Sequence, residues 1–183
     1  ANPPFIPHNI NNNGSYKRDF EIPEDWNGKS KFLHFAGVSG AMYVWVNGEF
    51  VGYNEGSKTA AEFDITKFSK TGKNTIAIQV FRWSDASYME DQDFWRLSGI
   101  ERDVYVYASN KIALRDFRVI ADLENNYKDG ALNVTLDIEN KSNSLVEKSS
   151  KIQLLDGDKV IYEDSKTCKL NKGENLVCFK KII

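Results

Sequence analysis

The stretch AMYVWVNGEFVGY, residues 41–53, decides how the rest of the chain is read. Two alternating runs, AMYVWV (41–46) and EFVGY (49–53), flank the pair Asn47-Gly48. A two-residue loop of this kind needs positive φ at both positions, which Asn and Gly tolerate best, so the stretch predicts a tight β-hairpin. Working outward, the period of two recurs in KFLHFAGV (31–38), TIAIQVFRW (75–83) and DVYVYA (103–108). DITKFSKTGKN carries one short helical turn at most, and no stretch supports an amphipathic helix longer than about two turns. The predicted fold class is therefore all-β.

The chain changes character near residue 109: tryptophan occurs before it and never after it. ASNKIALRDF reads as a short linker feeding a new strand. ALNVTLDIEN (131–140), SKIQLLDGDKVIYEDS (150–165, with Asp156-Gly157 as the turn) and NLVCFKKI (175–182) then give short alternating strands at regular spacing. That spacing suits a β-sandwich of immunoglobulin type, with fewer strands than the usual seven or so. The expected organisation is one β domain over 1–109 and a second over 110–183, both clipped at the ends of this sequence. Cys168 and Cys178 lie symmetrically about Gly173, so a hairpin there would face them across a ladder within disulfide reach. The favoured reading is nevertheless two reduced cysteines packing as small hydrophobes.

The 183 residues are 41% hydrophobic and 27% charged, the composition of an ordinary globular chain, with a net charge of −2. There is no Lys/Arg cluster of the kind nucleic acid requires, and no apolar run of the roughly 20 residues that span a membrane. No signal peptide is visible, and cytoplasm and periplasm both stay open. Aromatics reach 13%, which suits strands and carbohydrate faces alike.

One segment departs from this pattern. RWSDASYMEDQDFWRLSGIERDV, residues 82–104, sets six acids (Asp85, Glu90, Asp91, Asp93, Glu101, Asp103) among Trp83, Tyr88, Phe94 and Trp95. Its ends read as strand, and the roughly twenty residues between are too many for an ordinary hairpin loop. Carboxylates accept bonds from sugar hydroxyls and ligate cations, while indoles stack on sugar rings, so a carbohydrate or metal site explains the mixture. A structural network explains it too, because Arg82, Arg96 and Arg102 lie in the same stretch and match three of the six acids. His8 and His34 are isolated, and His34 sits within a strand, where a hydrogen-bonded structural role is expected. Asn13-Gly14-Ser15, Asn133-Val134-Thr135 and Asn140-Lys141-Ser142 match the glycosylation acceptor only as a common short pattern.

The run RWSD-x-SY-x-EDQD-x-WR-x-SGI-x-RDV resembles the sugar-binding domain of bacterial β-galactosidases of glycoside hydrolase family 2. The likeness continues through F-x-GV-x-x-A-x-x-x-W-x-NG-x-x-VGY (Phe35 to Tyr53), EFD (62–64) and GKN (72–74), and covers residues 2 to 109. It implies a jelly-roll (galactose-binding-like) β-sandwich followed by an incomplete immunoglobulin-like β-sandwich. It also implies that Asp93, the second Asp of EDQD, helps hold the galactosyl unit and a monovalent cation. Asp85 resembles a ligand of a divalent-cation site, together with Glu55, where the family often has Gln. Trp95 and Arg96 resemble supports of the loop more than ligands.

The implied cations are Na+ and Mg2+ in the intact enzyme. The implied partners are a β-galactoside, a downstream barrel domain of the same chain and further copies in a homo-oligomer. Family members carry an Asn-Val pair, whose Asn touches the sugar, just upstream of the match to Asn2-Pro3-Pro4-Phe5. The catalytic glutamates belong to the barrel, so no catalytic residue is expected in these 183 residues and the fragment alone should be inactive. A stand-alone carbohydrate-binding module, a structural interaction module and another family 2 glycosidase such as a β-glucuronidase are the alternatives.

Overall fold

The computed structural model describes residues 5–90, 93 and 95–182. The chain forms two compact units, Ala1–Ser109 and Asn110–Ile183.

In the first unit the strands are β1 (Asn13–Ile22), β2 (Ser30–Phe35), β3 (Val38–Ser39), β4 (Ala41–Val46), β5 (Glu49–Asn54), β6 (Ala61–Asp64), β7 (Gly72–Phe81), β8 (Gly99–Ile100) and β9 (Val104–Ser109). They pair antiparallel as a sheet ordered β1-β7-β4-β5, a second ordered β6-β2-β9, and the short pair β3-β8. The only α-helix among the described residues is α1, Ala86–Met89. The all-β expectation holds.

Alternation in β4 explains the layering. Met42, Val44 and Val46 point inward and are fully buried, joining Leu33 and Phe35 of β2 and Ile76, Ile78 and Val80 of β7 in one core. Tyr43 and Trp45 point the other way. The hairpin forms as predicted, with Val46 opposite Glu49 and with φ of 53° at Asn47 and 88° at Gly48. The Asn47 carboxamide also accepts the Thr75 N–H (3.0 Å) and donates to the Phe68 carbonyl (2.9 Å), tying the turn to β7. Asn74, nearly fully buried, satisfies four groups: it donates to the carbonyls of Lys70 and Gly72 and accepts from the Lys70 N–H and the Asn47 amide. GKN and EFD thus have structural work, since Asp64 in turn accepts from Thr66 N–H and hydroxyl.

Strand β5 carries a bulge. Trp45 faces Phe50 but Val44 faces Gly52, so Val51 is one residue more than β4 can match. Phe50 and Tyr53, three apart, would otherwise fall on opposite faces. The extra residue turns both outward beside Tyr43 and Trp45, while Val51 packs on the core. Tyr43 then meets the rings of Tyr53 (4.8 Å), Phe81 (5.9 Å), Trp45 (6.1 Å) and Phe50 (6.3 Å) on one outer face.

The second unit holds β10 (Ile112–Glu124), β11 (Asp129–Asn140), β12 (Val146–Asp156), β13 (Lys159–Leu170) and β14 (Gly173–Ile182). One sheet is ordered β10-β11-β14 and the other is the hairpin β12-β13. Val134, Leu136, Ile138, Val177 and Phe179 of the first meet Leu170, Val146, Ile152 and Cys168 of the second in a shared core. Among the described residues the second unit is thus a two-sheet β-sandwich of five strands.

Two expectations are corrected here. Cys168 and Cys178 do not face each other across a hairpin: Cys168 pairs with Lys148 in one sheet and Cys178 with Thr135 in the other, because the chain crosses between sheets at Asn171-Lys172. Both are free, Cys168 half-buried and Cys178 exposed. The β12-β13 turn consists of Gly157 and Asp158, not Asp156-Gly157, since Asp156 still pairs with Lys159. Of the three glycosylation patterns, Asn140 is 0% exposed and spends its amide on the carbonyls of Ser144 and Leu170, so it offers no acceptor in the fold.

Candidate functional site

The acidic segment leaves the sandwich at the end of β7, and its first residues are held as if the strand continued. The Arg82 N–H donates to the Asn12 carbonyl (3.0 Å). The Asn11 side chain then bonds Trp83 on both sides, accepting its N–H at 3.0 Å and donating to its carbonyl at 2.8 Å. A turn follows in which the Ser84 N–H donates to Ser87 Oγ and the Ser87 N–H to the Ser84 carbonyl, and it leads into α1. Tyr88 anchors this turn by donating its hydroxyl to the Phe5 carbonyl (2.8 Å).

The acids of the segment serve different ends. Glu90 reaches back to the loop after β5 and accepts the Ser57 N–H at 2.9 Å, while Ser57 Oγ accepts the Gly40 N–H at 3.2 Å. This relay closes one side of a cavity of about 450 Å³ lined by Ser39, Gly40, Ser57, Lys58, Arg82, Trp83, Ser87, Met89, Glu90, Arg96 and Leu97. Three cationic side chains and one carboxylate surround it. Ser39 contributes a hydroxyl that is 95% buried without a hydrogen-bond partner among the described residues (5% exposed), a group whose desolvation a bound polar molecule would relieve.

Asp85 and Glu55 act together at a second point. The Tyr53 hydroxyl donates to Glu55 at 2.5 Å. Burial first, then that hydrogen bond and the charges of Glu55, Tyr43 and Asp85, hold the Tyr53 phenol well above the usual tyrosine range. Both carboxylates therefore bear on one ring at the edge of the outward aromatic face. Hard carboxylate oxygens suit Mg2+, so the pair fits one side of such a site. No third His, Cys, Asp or Glu joins them among the described residues.

Asp93 is exposed, and Asp91, Gln92 and Phe94 of the same motif lie outside the described residues, as does Asn2. Trp95 is 84% exposed, and Arg96 lines the cavity. Arg102 donates to the carbonyls of Ala36 and Lys58, and Arg82 lies over the Trp83 ring at 5.1 Å. His34 sits 3.5 Å from Glu62 and stacks on Tyr105, the structural part expected of it. Sequence reasoning passed over Asn11, Ser39 and Tyr53. Only Tyr53 carried a signal, its place in VGY beside Glu55.

An all-β sandwich whose aromatic, charged loop borders a cavity ringed by Lys58, Arg82, Arg96 and Glu90 has the chemistry a sugar-binding domain needs. The chain belongs to the family described as glycosyl hydrolases family 2, sugar binding domain, which matches residues 1–110. It is 54% identical over 138 residues to a β-galactosidase of Priestia megaterium, covering 75% of this chain and 13% of that protein. A β-galactosidase of Halalkalibacterium halodurans is 42% identical over 165 residues, covering 90% of this chain and 16% of that protein. Among solved structures, Bacteroides uniformis β-glucuronidase 2 matches with a TM-score of 0.79 at 20% identity, over 94% of this chain and 22% of that one. At that identity the likeness speaks for the fold alone. The chain spans 13% to 16% of the length of these curated relatives.

Proposed function

We propose that this chain is the N-terminal part of a retaining β-galactosidase that hydrolyses terminal β-D-galactosides. The observation that carries the reading is the identity to proteins named β-galactosidase, 54% over 138 residues in one case. The chain contributes one wall of the galactose subsite through Asp93, whose exposure leaves it available to a ligand held elsewhere in the polypeptide. Asp93 also helps hold Na+, and Asp85 with Glu55 helps hold Mg2+. Retaining hydrolysis needs an acid/base and a nucleophile roughly 5 Å apart, and these belong to a barrel domain further along the parent chain. The 183 residues alone are inactive.

The test is steady-state kinetics of Asp93→Ala in the intact parent enzyme, with and without sodium. A fall in kcat/KM of about a hundredfold, some 2.7 kcal/mol of transition-state binding, with the sodium response lost, is the expected result. Near-normal kinetics with an unchanged sodium response would remove Asp93 from the site.

A further inference from the structure

The first unit has an opening into its own core. A cavity of about 820 Å³ lies between β1 and β9, lined by both strands and floored by Leu33, Ile76 and Ile78, all members of the buried core. Leu33, Ile76 and Ile78 are themselves buried, and the cavity reaches them from the β1–β9 side. Among the described residues β1 ends one sheet and β9 ends the other, and the outer side of an edge strand is where a further strand pairs.

The two edges differ in kind. β1 carries Lys17, Arg18, Asp19 and Glu21, the charges that keep an edge strand from pairing with anything else. β9, VYVYAS, carries no charge and no proline, and its first four residues are β-branched or aromatic. Val104 and Tyr105 are 39% and 48% exposed there. Such an edge is a template for strand addition.

We infer that the β9 edge is completed by an extended, alternating strand from elsewhere in the same polypeptide, whose apolar side chains fill the cavity above Leu33 and Ile78. The polypeptide that can supply it is large, since this chain spans only 13% of a relative's length. A second copy pairing β9 to β9 fits less well. Val106 already packs against its own core, so such a dimer brings backbone partners but few free side chains for the cavity. The inference does not depend on any sugar or cation being bound.

The experiment is amide hydrogen exchange of peptides covering 104–109, in this chain alone and in the parent polypeptide, with β4 as internal reference. The expected result is that β9 exchanges fast alone and about a hundredfold or more slower in the parent, while β4 is slow in both. A second readout uses the parent only: Val104→Cys should resist a thiol reagent under native conditions. Equal β9 exchange in both forms, ready labelling of Val104→Cys, or a reading frame that stops at this chain's ends would overturn the inference. So would β9 protection that grows with the concentration of this chain alone, which would assign the edge to a second copy.

Discussion

Gly40→Ala should damage the first unit well beyond the usual cost of a surface glycine. Gly40 has φ of +98°, and a Cβ there would lie 2.2 Å from the Phe81 carbonyl oxygen. The side chain alone costs about 1–2 kcal/mol at positive φ. Relieving the contact requires backbone, not a rotamer, to yield, because the oxygen belongs to the last residue of β7. Forced expansion of a packed site adds about 1–3 kcal/mol, for a total of about 2–5 kcal/mol.

Gly28→Ala is the matched control, with φ of +78° and nothing within 4 Å, so it carries only the conformational cost. All four tryptophans lie in the first unit, so their fluorescence in urea reports that unit without interference from the second. With a urea slope of about 2 kcal/mol/M, the midpoint of Gly40→Ala should fall roughly 0.5–1.5 M below that of Gly28→Ala. Coincident midpoints would refute the steric argument. They would also mean that the junction between β7 and the acidic segment, where the Gly40 N–H meets Ser57 Oγ, is softer than its geometry implies.

Further outcomes follow from other sites. Asn74→Ala removes the partner of four groups in a buried turn and should cost about 3 kcal/mol in thermal unfolding followed by tryptophan fluorescence. Tyr53 titrates above its ordinary 10.0, so the stability it contributes is complete below pH 10 and is lost as pH rises through its elevated folded value. Glu55→Gln should bring the absorbance titration of that phenol back toward the normal range and weaken the alkaline dependence. Tyr127 sits at φ +65° in the β10-β11 turn, and Tyr127→Gly should raise stability by about 1 kcal/mol, read by far-UV circular dichroism because the second unit lacks tryptophan.

The hairpin at Asn47-Gly48 was legible because its signal is local: two residues that accept positive φ, between runs of fixed period. Other features depend on pairing at a distance. β1 escaped notice because it is an edge strand whose exposed face holds Lys17, Asp19 and Glu21, so its alternation is faint. The cysteine hairpin failed for the opposite reason. The symmetry about Gly173 is real in sequence, but the chain crosses between sheets at Asn171-Lys172, and Gly173, at φ +99°, opens β14.

In the acidic segment the charge was visible and its division of labour was not. Glu90 is spent on the Ser57 N–H and Arg102 on two carbonyls, partners 33 and 44 to 66 residues away that no spacing announces. Asp85 and Glu55 were linked only through the family likeness, and Tyr53, the ring on which both act, is what joins them in space.

The unmatched Val51 is the place where β5 can lose a residue without disturbing the outer aromatic face. Exchange any one of Tyr43, Trp45, Phe50, Tyr53 or Phe81 for another ring and the face persists. Delete Val51 and the register closes up: Phe50 still faces Trp45, Gly52 still faces Val44 and Tyr53 still faces Tyr43, so the rings stay outward and only the Val51 contact with the core is lost. An insertion between Gly52 and Tyr53 would instead offset Tyr53 from Tyr43 and turn it toward the core, away from Glu55. Variation in a chain built this way should accumulate by exchange at positions 50–55 and by single deletion at the bulge, and avoid insertions after it.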